Sequence, residues 1–227
     1  MAQVRATMDS RYSFTAQFIH GAAIFARHAH EIELAAKASD EMQAQHRAYV
    51  VGAIVQSAAA LESEIAEIVM HGPGHHLGSN HTDHSARDFL SPMKDIIDRQ
   101  PPLRKYDLVL HLLRKVALDH GALPYQHAEL LFQLRNELTH YKSRWGMQMK
   151  GPKSVMSRLQ NLRLAKPQFA TPNMNFFPHR CLSASLASWC VITGMVFIDE
   201  FYKKLTIVSP LANYSGDLKV PPPIRVD

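Results

Sequence analysis

Apolar side chains recur every three or four residues along most of the chain, and this spacing limits the possible folds more than any other feature. It places apolar residues on one face of an α-helix, whereas a half-buried strand alternates with a period of two. The first two such stretches predict two long helices, and Ser39-Asp40 between them is expected to break the first and cap the second. Two long consecutive helices with a short link predict an antiparallel hairpin as the spine of the fold. The apolar faces consist of Phe14, Phe18, Phe25, Ile32 and Ala36, and of Val50, Ile54, Ala58, Leu61, Ile65 and Ile68.

Helix breakers divide the rest of the chain into shorter helices. A loop rich in Gly, Pro and His occupies residues 72–85. Ser91-Pro92 is expected to open a short helix to about Arg99, with Ser91 as its cap. Pro101-Pro102 opens the next helix, which Gly121 is expected to end. Pro124 opens a helix that runs to about Lys142.

The C-terminal third is less regular. The pattern predicts a short helix near 153–164, a Pro- and Asn-rich link over 166–178 and a last long helix over about 179–206. No strand-like alternation and no internal repeat is visible in the sequence. The fold class is therefore expected to be all-α, an antiparallel helical bundle with extra C-terminal helices. We expect one domain over 1–227, with a core of about 10–206 and an extended C-terminal arm over 207–227.

Charge, cysteines and hydropathy indicate the compartment. The net charge of +5 and a pI near 9.2 fit a polyanionic partner without requiring one. Cys181 and Cys190 are nine residues apart in one predicted helix, about 13 Å along its axis, which is too far for a disulfide. Free thiols and the absence of a signal-like N-terminus predict a cytoplasmic protein. The uncharged stretch from Cys181 to Ile198 is polar and short for a membrane span, so it predicts a buried core helix.

The predicted helix at 126–142 carries the chain's candidate chemistry. With Leu134 at zero and about 100° per residue, its leucines form the core face. Arg135, Asn136, Thr139 and His140 fall outside that face, and Asn136 and His140 are spaced i,i+4, so they can touch. Phe132 falls amid these polar residues, where an aromatic ring exposed to water is unfavourable. We therefore expect a homodimer that covers Phe132 by pairing this helix across a two-fold axis.

The sequence Arg135-Asn136-Glu137-Leu138-Thr139-His140 resembles the Arg-Asn-x-x-x-His signature of the HEPN superfamily. The stretch LESEIAEIV at 61–69 resembles the same families, particularly stand-alone HEPN proteins. The resemblance covers roughly residues 10–205, but its specific part is six residues long. It implies a four- to five-helix bundle that dimerises across the motif helix. It also implies RNA cleavage without a metal or another cofactor, with Arg135 and His140 catalytic and Asn136 in support.

That chemistry is physically reasonable for these side chains. A neutral His140 would take the proton of a ribose 2′-hydroxyl or help protonate the leaving oxygen, and Arg135 would hold the phosphate. Attack by the 2′-oxygen restricts the substrate to RNA. Backbone binding and base stacking are expected from the neighbouring residues Thr139, Tyr141, Lys142, Arg144 and Trp145.

Two alternatives remain open from the sequence. Some HEPN domains are not catalytic, so the chain is alternatively a dimeric module that binds nucleotides or a partner protein. Stand-alone HEPN enzymes commonly act as toxins or defence effectors, which implies a possible antitoxin partner.

The histidines of the loop (His71, His75, His76, His81 and His84) match no structural zinc spacing, so a solvated loop is expected there rather than a metal site.

Overall fold

The computed structural model describes residues 13–35, 38–77, 84–140, 154–214 and 216–226. Over these ranges the protein is all-α, as predicted. Its helices are α1 (Phe14–Leu34), α2 (Asp40–His71), α3 (His84–Leu90), α4 (Lys94–Asp98), α5 (Pro102–Arg114), α6 (Leu123–Thr139), α7 (Val155–Asn161) and α8 (Ala184–Leu205). Short 3-10 turns lie at His75–Leu77, Ser91–Met93 and Ala212–Tyr214, and a π-type turn lies at Phe176–Arg180.

Helices α1 and α2 form the predicted antiparallel hairpin, which has the most extensive helix–helix contact in the described structure. The backbone N–H of Phe14, at the start of α1, donates to Glu67 near the end of α2, which shows their opposite directions. Small side chains let the two helices approach closely, because α1 buries Ala22, Ala23, Ala26 and Ala29 in the same core to which α2 contributes Ala53. Ser39 caps α2 as expected, since its hydroxyl accepts from the N–H of Met42.

Helix α8 is the central helix of the bundle and packs against α1, α2, α5 and α6. It is long and apolar enough to cross a membrane by length and composition, but 72% of its most apolar window is buried inside the fold. Core helices of soluble proteins have this property, so the burial agrees with the core helix expected from the sequence. Cys181 and Cys190 are both buried and unbridged.

Several helix ends differ from the prediction. Helix α5 ends at Arg114 rather than near Gly121, because Lys115 adopts a left-handed conformation (φ 56°) and its N–H closes the last turn on His111. Ser91 begins a 3-10 turn and does not cap a helix. Helix α8 starts at Ala184 rather than near 179, since Ser183 caps it and Phe177 is extended before Pro178.

The C-terminal segment packs along the bundle. Leu211 and Leu218 are buried, and Arg27 of α1 donates to the carbonyls of Asp217 and Lys219. The last described residues run antiparallel to residues 163–165, with Ala165 N–H donating to the Ile224 carbonyl at 2.8 Å. The segment therefore extends the helical core at least to Leu218.

Candidate functional site

The C-terminal end of α6 presents the motif residues to solvent. Leu130, Leu131 and Leu134 are buried on the opposite side, as the helical angles predict. Arg135 is half-buried, while Asn136, Thr139 and His140 are exposed. The core face of α6 thus fixes the helix against the bundle and leaves a row of polar side chains at its last turn.

Arg135 is held in place by two contacts. Its guanidinium forms an ion pair with Glu62 of α2, and it lies 5.8 Å from the ring centroid of Phe132. The Arg135 side chain is 21% exposed and that of Glu62 is 43% exposed. An arginine fixed by a carboxylate and an aromatic face keeps a defined position at little further entropic cost.

Phe132 is buried within one chain, and the sequence-based premise that it would be exposed is wrong. The side chain is only 7% exposed. Helix α6 packs against α2, α7 and α8, so its covered face is wider than a single leucine stripe, and Arg135 shields the ring further. Dimerisation is not needed to cover Phe132, which therefore gives no argument for an interface.

His140 lies at the C-cap of α6 rather than inside the helix. Its φ and ψ are −114° and 29°, and its N–H donates to the carbonyl of Asn136 at 2.9 Å. The Thr139 hydroxyl donates to the carbonyl of Arg135 at 2.9 Å, so its hydrogen is already used in a bond within α6. Within the described ranges no side-chain hydrogen bond joins His140 to Asn136 or Arg135. Tyr141, Lys142, Arg144 and Trp145 lie outside the described residues.

Glu62 is the residue at this site that the sequence reasoning missed. It lies within LESEIAEIV, the stretch that resembles stand-alone HEPN proteins, but the resemblance does not imply a role for this glutamate. A half-exposed glutamate on the second helix has no sequence signal that identifies its partner. Its pairing with Arg135 depends on how α2 and α6 pack, a contact between residues 73 positions apart.

A second polar cluster is buried between the end of α2, the following turn and α8. Glu67 accepts hydrogen bonds from Ser63 (2.9 Å), from the N–H of Phe14 (3.0 Å) and from His75 (3.1 Å). Burial alone would raise the pKa of Glu67, but hydrogen bonds from His75, Ser13 and Ser63 lower it to about 2. The two ring nitrogens of His75 both face acceptors, Glu67 and the Gly72 carbonyl, so the ring carries both protons.

Burial disfavours the charged form of two more groups in this cluster, Glu64 and His76. Glu64 is fully buried and accepts from the Tyr202 hydroxyl, and burial raises its pKa despite that bond. His76 donates through Nε2 to the Val208 carbonyl at 2.9 Å, and burial lowers its pKa. The cluster therefore holds the ion pair of Glu67 with His75 beside a carboxyl group and an imidazole whose charged forms burial disfavours.

For His75 and His76 these contacts replace the solvated loop expected from the sequence. His75 and His76 hold the turn after α2 against the core, and His81 lies outside the described residues. Throughout the described ranges, no group of three or more His, Cys, Asp or Glu residues is placed to hold a metal ion. His75 and His76 thus have structural partners of their own.

No family model, no curated protein and no solved structure matches this chain.

Proposed function

We propose that the protein is a metal-independent endoribonuclease of the HEPN type. The observation that carries the proposal is the end of α6, where the Arg-Asn-x-x-x-His residues meet solvent on a rigid helix backed by the core. Arg135 is fixed there beside three exposed polar residues: Asn136, Thr139 and His140. Such an arrangement supplies a cation for a phosphate and an imidazole for proton transfer.

The proposed reaction uses only groups of the chain and the RNA. A neutral His140 takes the proton from a ribose 2′-hydroxyl, and the 2′-oxygen attacks the adjacent phosphorus. The bond from phosphorus to the 5′-oxygen breaks, and that oxygen takes up the proton that His140 removed, so the imidazole becomes neutral again. The products are a 2′,3′-cyclic phosphate and a 5′-hydroxyl. Arg135 stabilises the charge that develops on the phosphate oxygens, and Asn136 supports His140 one turn away.

Arg135 must exchange partners for this step to occur. Its guanidinium is paired with Glu62 in the free protein, so an RNA phosphate has to replace the carboxylate. Both side chains are partly exposed, which keeps the pair accessible and its net strength low. Glu62 in this proposal positions Arg135 until substrate arrives.

A homodimer through α6 belongs to the same proposal, but it rests on the HEPN resemblance alone. Two copies of the motif facing each other would give one groove with two histidines and two arginines. An antitoxin that covers this groove is the matching protein partner. Light scattering at micromolar concentration tests the dimer, and a monomer with full activity would exclude the shared groove.

A non-catalytic binding module is the second candidate. The Arg135–Glu62 ion pair favours it, because the pair gives the motif arginine a structural role that does not require catalysis. In that case the α6 end binds nucleotides or a partner protein without cleaving RNA. The two candidates share a fold, so only an activity measurement separates them.

The test is a cleavage assay of the purified protein on cellular RNA in EDTA, with DNA of matched length beside it. We expect RNA to be cut, DNA to remain intact and the new RNA ends to be 5′-hydroxyls, which a kinase labels without phosphatase treatment. Intact RNA would favour the binding module. Activity lost in EDTA and restored by a divalent ion, or 5′-phosphate ends, would contradict the mechanism.

A further inference from the structure

Acidic residues are absent from a long part of the chain. Between Glu137 and Asp199 the sequence has no Asp or Glu, but it has eight Lys or Arg residues. The net charge of the whole protein is only +5, so this stretch is far more basic than the rest. A segment of one charge sign that folds onto one side of a protein creates a positive surface there.

Part of this segment lines a cavity of about 450 Å³. The cavity lies between α7, the link that follows it, the start of α8 and the C-terminal segment. Three cationic side chains line it, namely Arg163, Lys166 and Arg180, and none of the described residues that line it is acidic. Its apolar part includes Phe176, Leu159 and Leu186.

The cations of this cavity are available to a ligand. Arg163 and Lys166 are exposed, and neither forms an ion pair with any described residue. Arg180 is half-buried and donates a long hydrogen bond of 3.4 Å to the Pro172 carbonyl. Elsewhere in the fold basic residues such as Arg135 and Arg158 are paired with glutamates. Three cations around one concavity, with no carboxylate partner in the part of the chain that the structure describes, attract an anion.

The backbone holds the cavity rim in place. Arg163 has a left-handed conformation (φ 51°), and its carbonyl accepts from the N–H of Val226 at 2.8 Å. Ala165 is joined to Ile224 by a second bond of 2.8 Å. The C-terminal segment thus fixes the residues that carry two of the three cations. A preformed cavity binds its ligand without the cost of ordering a loop.

We infer that this cavity binds the sugar-phosphate backbone of single-stranded RNA, with a base against Phe176. The inference names a binding surface for the proposed ribonuclease and so rests on that function. Helix α7, which supplies Leu159, is fastened along α6 through Arg158, which donates to Glu129 and Gln133. The cavity therefore lies near the N-terminal half of α6, and Arg135 and His140 lie toward the other end of the same helix. A half-buried aromatic ring among phosphate-binding cations is a common site for a stacked base.

The test measures RNA binding apart from cleavage. Fluorescence anisotropy of a labelled mixed-sequence 20-mer RNA is recorded in EDTA on a His140→Ala background. The cavity variant is Arg163→Gln with Lys166→Gln. The matched control is Arg47→Gln with Lys115→Gln, since both of its residues are exposed and Lys115 is also left-handed (φ 56°). Both pairs remove two positive charges, and circular dichroism checks that each variant keeps the fold.

We expect the cavity variant to bind RNA at least about tenfold more weakly than the His140→Ala background, and the control variant to bind it about as well as that background. The slope of log affinity against log salt should fall by about 1.4 in the cavity pair, at about 0.7 for each lost phosphate contact. Equal weakening in both pairs would show that only net charge matters, and would overturn the inference. Unchanged binding in the cavity pair, or no RNA binding by the wild type, would overturn it too.

Two further arms separate this inference from neighbouring ones. Adenosine monophosphate that binds the cavity while RNA does not would assign it to small phosphorylated molecules and overturn the RNA assignment. RNA binding through the cavity without any cleavage by the wild type would support the inference and refute the ribonuclease. Cleavage by the wild type together with unchanged RNA binding by the cavity variant would support the ribonuclease and overturn the inference.

Discussion

The ion pair between Glu67 and His75 gives the most quantitative prediction. Glu67→Gln keeps the size and most hydrogen-bonding capacity of the side chain but removes its charge. It leaves the doubly protonated His75 without a counter-ion and weakens the acceptor for the first N–H of α1. The side chain is only 16% exposed, so solvent screens these interactions weakly.

The pKa of Glu67 sets the size of the effect. Lowering the pKa of a carboxyl group from 4.5 to about 2 corresponds to about 3 kcal/mol of folding free energy at neutral pH. The raised pKa of His75 reflects the same pair, so it is counted once. We expect Glu67→Gln to lower the free energy of unfolding by about 2–3 kcal/mol near pH 6.

The pH dependence has a definite sign at each end. The depressed pKa of Glu67 gives stability that is present above pH 4.5 and lost as pH falls toward 2. The raised pKa of His75 gives stability that is present below pH 6.5 and lost as pH rises through its folded-state value. The difference between wild type and Glu67→Gln should therefore be largest near pH 6 and shrink on both sides.

Urea denaturation followed by circular dichroism measures this difference at about pH 3, 6 and 9. The matched control is Glu31→Gln, because Glu31 pairs with His28 at 2.9 Å but both side chains are exposed. Surface pairs of this kind contribute little. The ion pair would not have the strength assigned to it if Glu67→Gln lowered the free energy of unfolding no more than Glu31→Gln does. The same holds if the effect of Glu67→Gln were as large at about pH 3 as at about pH 6.

Three further predictions concern the core and the site. Phe132→Ala should cost about 3–5 kcal/mol of stability in urea denaturation, because the ring is buried within one chain; a cost as small as that of the 51% exposed Phe89→Ala would contradict this. Cys181 and Cys190 should react with a thiol reagent at pH 8 only after unfolding, since burial raises the pKa of Cys181 to about 12 and holds that of Cys190 well above its usual value. Fast labelling of the native protein would show otherwise. Glu62→Gln should lower the KM for RNA and leave kcat within about twofold, because it frees Arg135 from its carboxylate partner; an unchanged KM would mean that the ion pair does not compete with substrate.

Much of the helical framework could be predicted from local pattern alone. The α1–α2 hairpin follows from apolar spacing, and the start of α2 follows from Ser39, whose side chain caps it. The openings at Pro102 and at Leu123-Pro124 follow from proline at the first turn. These signals are local, so tertiary packing does not alter them.

The errors came from effects that local pattern does not contain. Helix α5 ends at Lys115 because a left-handed residue closes it, and lysine carries no sequence signal for that conformation. Phe132 was expected to be exposed because a helical angle shows one helix and not its three neighbours. The partners of Glu62 and Glu67 likewise depend on contacts between distant parts of the chain.

The candidate site was predictable in composition but not in geometry. The motif gave Arg135, Asn136 and His140, and the structure places all three at one end of α6. It also moves His140 to the C-cap, since α6 stops at Thr139 instead of continuing to residue 142. His140 therefore does not occupy the regular helical position from which its angle around α6 was calculated.

The rate at which His140→Ala cleaves RNA tests directly whether His140 is catalytic. His111→Ala is the matched control, because His111 is an exposed histidine on α5, away from the motif. In EDTA, with both variants shown to be folded by circular dichroism, the account predicts a loss of about 10²–10⁴-fold for His140→Ala and a wild-type rate for His111→Ala. Cleavage by His140→Ala at the wild-type rate would contradict it.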